Sequence, residues 1–338
     1  MKKTLSVLLA LILALSMTGF SYAEDAAPGF GEYEHVFIIG IDGMGATFDK
    51  VDSPNFDRIF ADNAYRHDAV TEYITTSAQN WGSILTGVSY DTHGLTNDIT
   101  GKVKRTSADD NHTIFYYVHE AMPDAELISF CHWSNINKGI IETDVGVKKV
   151  NRRSDPLVAE AIINYFKMGH APKLMFVQLD SVDHAAHSHG GFSDEYYEAA
   201  AHIDVFLGEI YDAIESQGLM KNSLFIVVAD HGETTNGHGG QTKEESSAVL
   251  AVAGHSVNKT ILDESVHNRD VSAIALHALG IAQPDHFISS VPAGLFGESR
   301  EKSVEANPMP KAQYGWRNFL RIFLRIVNMI WSPFDLIK

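Results

Sequence analysis

The 338 residues include a single cysteine, Cys131, so no intrachain disulfide can form and stability must come from the core and from any bound metal. Cys131 lies in the apolar run LISFCHW, where a thiol reads as buried packing and not as a nucleophile. Positive charge is scarce: 26 Lys and Arg stand against 43 Asp and Glu, a formal net charge of −17. That balance argues against a nucleic-acid polymer as partner. Residues 5–15 form an apolar run shorter than the roughly 20 residues that span a bilayer. It follows Lys2 and Lys3 and precedes small residues ending at Ala23, the pattern of a secretory signal peptide over 1–23. The expected destination is outside the cytoplasm, extracellular or in the cell envelope.

What is present is α/β patterning. Strand-like runs occur at 35–41, 127–131, 174–179, 224–228 and 249–253, mostly continuous in apolar character, as for strands buried on both faces. Helical patterns lie between them. Ser53-Pro54 opens 55–62, Asp155-Pro156 opens 157–166, Ser193 opens 194–215, and 271–279 closes at Gly280. This alternation predicts a three-layer α/β sandwich, a mostly parallel central sheet with helices on both faces, over residues 24–297. Residues 298–311 then read as a charged, proline-containing linker. In 312–338, Arg317, Arg321 and Arg325 recur every four residues among apolar neighbours. A helix there is cationic and amphipathic, suited to contact a membrane surface or to dock on the acidic body.

The polar residues that carry chemistry cluster in short motifs, several of them just after apolar strand-like runs, where open α/β sheets place their sites. Asp42 sits in IIGIDGMG, a pattern that a helix-capping carboxylate would share. Asp230 and His231 end SLFIVVA abruptly in two ligand types, which favours a metal. His238 lies in NGHGG. In LDSVDHAAHSHG two pairs, Asp180 with His184 and Asp183 with His187, are spaced to share one face of a helical turn. The stretch 75–87, TTSAQNWGSILTG, passes from a polar turn into a helical pattern, and Thr75, Thr76 and Ser77 all offer a hydroxyl at a helix N-terminus suited to phosphate.

Taken in order, IDGMG, SAQNWGSILTG, DHAAHSHG, ADHGE and GHGG resemble the alkaline phosphatase superfamily, in particular its type I phosphodiesterase and nucleotide pyrophosphatase branch, across residues 35–285. The resemblance implies Ser77 as nucleophile and Asn80 as the contact to phosphoryl oxygen. It selects Asp183 and His187 over Asp180 and His184, and His238 over His255, His267 or His277. It further implies two divalent ions, zinc or else manganese, one held by Asp183, His187 and His238, the other by Asp42, Ser77, Asp230 and His231. The implied activity is metal-dependent hydrolysis of phosphoric esters, diesters or nucleotide pyrophosphates, through a phosphoseryl intermediate. Its substrate would be a small-molecule or lipid-linked phosphoric ester. Two other readings remain open: a phospho-headgroup transferase or phosphomonoesterase acting on an envelope lipid or glycan, and a catalytically silent metal-binding protein. A sulfatase is disfavoured, because SAQNW lacks the proline and arginine of the formylglycine signal.

Overall fold

The computed structural model describes residues 27–297. The expected signal peptide, linker and C-terminal helix lie outside the described residues. Eight strands form one sheet: β1 (His35–Ile41), β2 (Ala64–Val70), β3 (Leu127–Cys131), β4 (Val147–Asn151), β5 (Leu174–Leu179), β6 (Ser223–Ala229), β7 (Ser247–Ala253) and β8 (Thr260–Ile261). Their order is β4-β3-β5-β1-β6-β7-β2-β8. Every neighbouring pair is parallel except β7 with β6 and with β2. The sheet is therefore mostly parallel.

Strand alternation sends successive side chains to opposite faces. In β1, Val36 and Ile38 enter one core, while Phe37, Ile39 and Ile41 enter the other. The first core is closed by α2 (Ser77–Thr86), α3 (Ile114–Ala121) and α7 (Asp270–Ala278), through Trp81, Phe115 and Ile274. The second is closed by α1 (Pro54–Phe60), α4 (Asp155–Lys167), α5 (Ser181–His189) and α6 (Asp194–Ser216), through Phe56, Ile162, Val182 and Tyr196. Helices on both faces make the three-layer sandwich. Among the described residues no helix is long and apolar enough to cross a membrane.

Three strands lacked the apolar signature, and position explains it. β4 (VKKVN) is an edge strand with two lysines, a usual guard against edge-to-edge pairing. β2 (AYRHDAV) is half-exposed and irregular between Arg66 and Ala69, and β8 has two residues. Asp155, expected to open a helix, lies inside its first turn; its carboxylate instead accepts from the backbone N–H groups of Asp180 (2.9 Å) and Ser181 (2.8 Å). Those bonds pin the loop that leaves β5.

Candidate active site

The register of the sheet assembles the first half of the site. Ile41 in β1 is level with Leu179 in β5 and Ala229 in β6, so Asp42, Asp180 and Asp230 leave three adjacent strands at one height. Asp42 and Asp230 are both buried. Asp42 Oδ2 accepts from Trp81 Nε1 (2.9 Å) and Gln178 Nε2 (3.0 Å). Trp81 can reach it because Gly40 carries no side chain: a Cβ there would lie 2.5 Å from the indole. With Oδ2 committed, Oδ1 faces Ser77 Oγ and His231 Nε2, each at 3.5 Å.

Asp230 is oriented in the same manner. Its Oδ1 accepts from the N–H groups of Gly43 (3.1 Å) and His231 (2.9 Å), while Oδ2 lies 3.3 Å from His231 Nε2. Gly43 has φ +66°, and a Cβ there would stand 2.9 Å from Asp183, so the turn demands glycine. His231 Nδ1 is 3.1 Å from the Gly232 carbonyl, which can only accept. That assigns the ring proton to Nδ1 and leaves the Nε2 lone pair aimed at the two carboxylates.

The second half comes from a helix and a loop. Asp183 and His187 share a face of α5, with His187 Nε2 3.4 Å from Asp183 Oδ2. His238 stacks on His231 with ring centroids 3.9 Å apart, and its Nε2 lies 3.1 Å from His187 Nε2 and 3.4 Å from Asp183 Oδ1. The Thr75 carbonyl, 2.6 Å from His238 Nδ1, fixes that proton and leaves Nε2 as the donor atom. The structure thus brings together Asp42, Ser77, Asp183, His187, Asp230, His231 and His238. His184 is exposed, and Asp180 Oδ1 accepts from Gln178 Nε2 at 2.8 Å, beside the cluster.

Asn80 requires a correction. It is buried, its Oδ1 accepts from the N–H of Glu72 (2.8 Å) and from Asn268 Nδ2 (3.2 Å), and its Nδ2 donates to the carbonyls of Ile74 (3.0 Å) and Thr76 (3.2 Å). With both ends of the amide bound to protein, Asn80 shapes the turn before Ser77 and has nothing left for a phosphoryl oxygen. Asn97 is better placed. Its Oδ1 accepts from the N–H of Ala78, the residue after the nucleophile candidate, at 2.8 Å, so its amide group is held beside Ser77. Nothing local in LTND marks it, because it opens a four-residue helix (Asn97–Thr100) that only tertiary packing brings against the head of α2.

Sequence reasoning also missed Glu233. It follows the Asp230-His231 pair closely in sequence and is 1% exposed. Its carboxylate lies within 4.8 Å of ligand atoms on Asp183, His231 and His238.

Crowding these acids out of water has electrostatic consequences. Burial, reinforced by Asp183, pushes Asp42 up to about 7 against the pull of the Trp81 and Gln178 donors. Burial likewise raises Asp183 to about 6 and Glu233 to about 10, and holds Asp230 well above the usual carboxylate range. Burial, then the neighbouring His238, drives His231 well below an ordinary imidazole. Protons stand where cations would relieve the repulsion.

The residues fit divalent ions. Asp183 Oδ1, Asp230 Oδ2, His231 Nε2 and both Glu233 oxygens are buried atoms without a hydrogen-bond partner. Such atoms are costly unless something binds them. The ligand atoms of Asp42, Asp230 and His231 all lie within 4.8 Å of one another, as do those of Asp183, His231, Glu233 and His238. Ligands at about 2.0–2.2 Å from a shared ion have separations of this order.

A mostly parallel α/β sandwich with mixed carboxylate and imidazole groups at the strand ends is the architecture of the alkaline phosphatase superfamily. Within it, the chain belongs to the type I phosphodiesterase / nucleotide pyrophosphatase family, whose model matches residues 36–270. Among solved structures it is similar to murine ectonucleotide pyrophosphatase / phosphodiesterase 5 (TM-score 0.65, 13% identity, 78% of this chain and 100% of that one). It is also similar to the lipoteichoic acid synthase LtaP from Listeria monocytogenes (TM-score 0.59, 13% identity, 79% of each chain). Among curated proteins, it is 29% identical over 136 residues to the catalytic subunit of human GPI ethanolamine phosphate transferase 3, covering 39% of this chain and 12% of that protein. It is 24% identical over 151 residues to GPI ethanolamine phosphate transferase 1 of Candida glabrata, covering 39% of this chain and 16% of that protein. The chain therefore aligns with well under a quarter of the length of these two relatives.

Proposed function

We propose that this chain is an exported, metal-dependent phosphodiesterase in which Ser77 is the nucleophile. The observation that carries the reading is the position of Ser77. Its Oγ heads α2, is nearly buried, and lies 3.5 Å from the one Asp42 oxygen that Trp81 and Gln178 leave unbonded. Asp42, Asp230 and His231 would hold one ion with Ser77, and Asp183, His187 and His238 the other. When bound, the two ions neutralise phosphoryl charge and favour the serine alkoxide.

The chain's own residues then do the following. Ser77 Oγ forms a bond to phosphorus as the ester bond to the leaving oxygen breaks, and water later cleaves the phosphoseryl ester to regenerate the hydroxyl. Asn97 steadies the backbone at Ala78 and presents its amide to a phosphoryl oxygen. Trp81 and Gln178 hold Asp42 in one orientation. Diesters are favoured over monoesters because the proposed contact is a neutral amide and no arginine or lysine pairs with the site carboxylates among the described residues. Hydrolysis of bis-p-nitrophenyl phosphate and p-nitrophenyl phosphate, with zinc or manganese supplied, tests this. Turnover of the diester in preference to the monoester supports it; no turnover of either by protein with metal bound contradicts it.

A second reading, transfer of a phospho-headgroup to an alcohol acceptor, is supported by the names of the relatives, two ethanolamine phosphate transferases and a lipoteichoic acid synthase. Both readings share the attack by Ser77. They part at the second step, so product analysis with a competing alcohol separates them.

A further inference from the structure

Glu233 has no place in the ligand sets just described, yet among the described residues it is the least explained buried group. It is 1% exposed, neither of its carboxylate oxygens meets a hydrogen-bond donor from an ordinary partner, and the side chain it faces at hydrogen-bonding distance is another carboxylate, Asp183. It cannot be excused as the group that orients His231, because its Oε1 is 4.0 Å from His231 Nδ1 while the Gly232 carbonyl takes that proton at 3.1 Å. Nor can it swing away freely. A Cβ on Gly191 would lie 2.9 Å from Glu233 Cβ, and one on Gly43 would lie 3.1 Å from Oε1, so backbone closes around the side chain.

What Glu233 does approach is the Asp183 half of the site. Its ligand atom falls within 4.8 Å of those of Asp183, His231 and His238. His231 drops out of this group as a donor, since its Nδ1 carries the proton and its Nε2 faces Asp42 and Asp230. Asp183, Glu233 and His238 remain, with His187 at the rim. Charge points the same way: among the described residues the ion pairs of Asp42, Asp183, Asp230 and Glu233 are with imidazoles only. Four buried carboxylates without a basic side chain call for about four compensating positive charges, which two divalent ions supply.

We infer that Glu233 is a fourth protein ligand of the ion on the Asp183 side, and that this half of the site is built for a six-coordinate, oxygen-preferring ion such as Mn2+. Asp183, Glu233, His187 and His238 would fill the tetrahedron that zinc prefers and leave no open position. A six-coordinate ion keeps two positions for substrate or water, and a second carboxylate suits its harder character. The inference rests on the two-ion reading of the site but not on any turnover.

The test is Mn2+ titration of the metal-free full chain, following the free-ion signal by electron paramagnetic resonance, for the wild type, Glu233→Gln and Glu233→Asp. Thermal unfolding of each metal-free protein runs alongside. The wild type is expected to bind two Mn2+. Glu233→Gln should weaken one of them at least tenfold and leave the other within about twofold. Zinc should displace Mn2+ more readily from the variant's weakened site than from the wild type. Metal-free Glu233→Gln should melt no lower than the wild type, because its amide can still donate to the Asp183 carboxylate in place of the proton that the two acids share. Two Mn2+ bound by Glu233→Gln with wild-type affinity overturn the inference while leaving the two-ion reading intact. A lower metal-free melting temperature with unchanged affinity also overturns it, by making Glu233 structural. No Mn2+ or Zn2+ bound by the wild type defeats both. If Glu233→Gln does not fold, Glu233→Asp decides: its shorter carboxylate must weaken one Mn2+, and unchanged affinity for both overturns the inference.

Discussion

The two halves of the site are made of different material. Asp42, Asp230 and His231 stand at the ends of adjacent parallel strands, at most 1% exposed, with nearly every remaining polar atom bonded to Trp81, Gln178 or backbone. His187 comes from a nine-residue helix and His238 from a loop, and the His187 side chain is 57% exposed. The sheet can hold its half in one geometry before any ion arrives. The helix-and-loop half has room to adjust, which suits the side where substrate enters and product leaves.

The contrast can be broken or sharpened by substitution. The largest effect is expected for Ser77→Ala, which should lower diester turnover by about three orders of magnitude or more and weaken only the ion on the Asp42 side, leaving the Asp183-side ion bound. Elemental analysis beside the rate assay checks both halves of that statement. Next are the two asparagines, which should separate cleanly. Asn97→Ala should cost about 10²–10³ in kcat per folded molecule, as for loss of a donor to a developing oxyanion, beside a stability loss of about 1–3 kcal/mol from the stranded N–H of Ala78. Asn80→Ala should destabilise by about 1–3 kcal/mol, because it strands the N–H of Glu72, while turnover per folded molecule stays close to normal. The reverse pattern would return Asn80 to the phosphoryl contact.

A smaller effect is expected around Asp42. Trp81→Phe keeps the packing but removes one bond to Oδ2, and should weaken metal binding or turnover about 10–100-fold. His184→Ala, on the exposed face of the same helix as Asp183, should change neither.

The smallest effect is on stability against pH. Asp42 at about 7 and Asp183 at about 6 sit above their unfolded values near 3.8. The metal-free native state therefore keeps protons that the unfolded chain has released. Stability from this source is full below about pH 4 and is lost as pH rises through 6 and 7. Melting curves in chelator should fall across that window, and saturating metal should flatten or invert the fall. A flat chelator series would show that these carboxyls are not crowded.

How much of this was legible in the chain follows the same division. Strands buried on both faces announce themselves as apolar runs, so the runs match β1, β3 and β5 to the residue and β6 to within one residue at each end, with Asp42 just past β1 and Asp230-His231 just past β6. β4 escaped because an edge strand carries lysines, and β2 because half of it faces solvent. The ambiguity between Asp180 and Asp183 could not be resolved by spacing, since both pairs are four residues apart. Tertiary packing of α5 resolves it, turning Asp183 inward and His184 outward. Asn97 and Glu233 were invisible for a related reason. One reaches the site from a separate four-residue helix, and the other reads as an ordinary acidic residue after a glycine until its burial is known.

Anomalous diffraction at the manganese and zinc edges, from crystals of the full chain grown with each metal, tests the central claim most directly. The account predicts two peaks, one among Asp42, Asp230, His231 and Ser77, the other among Asp183, His238 and His187 with Glu233 in reach. A single peak, or no peak within bonding distance of Asp42 and Asp230 in metal-saturated crystals, would contradict it.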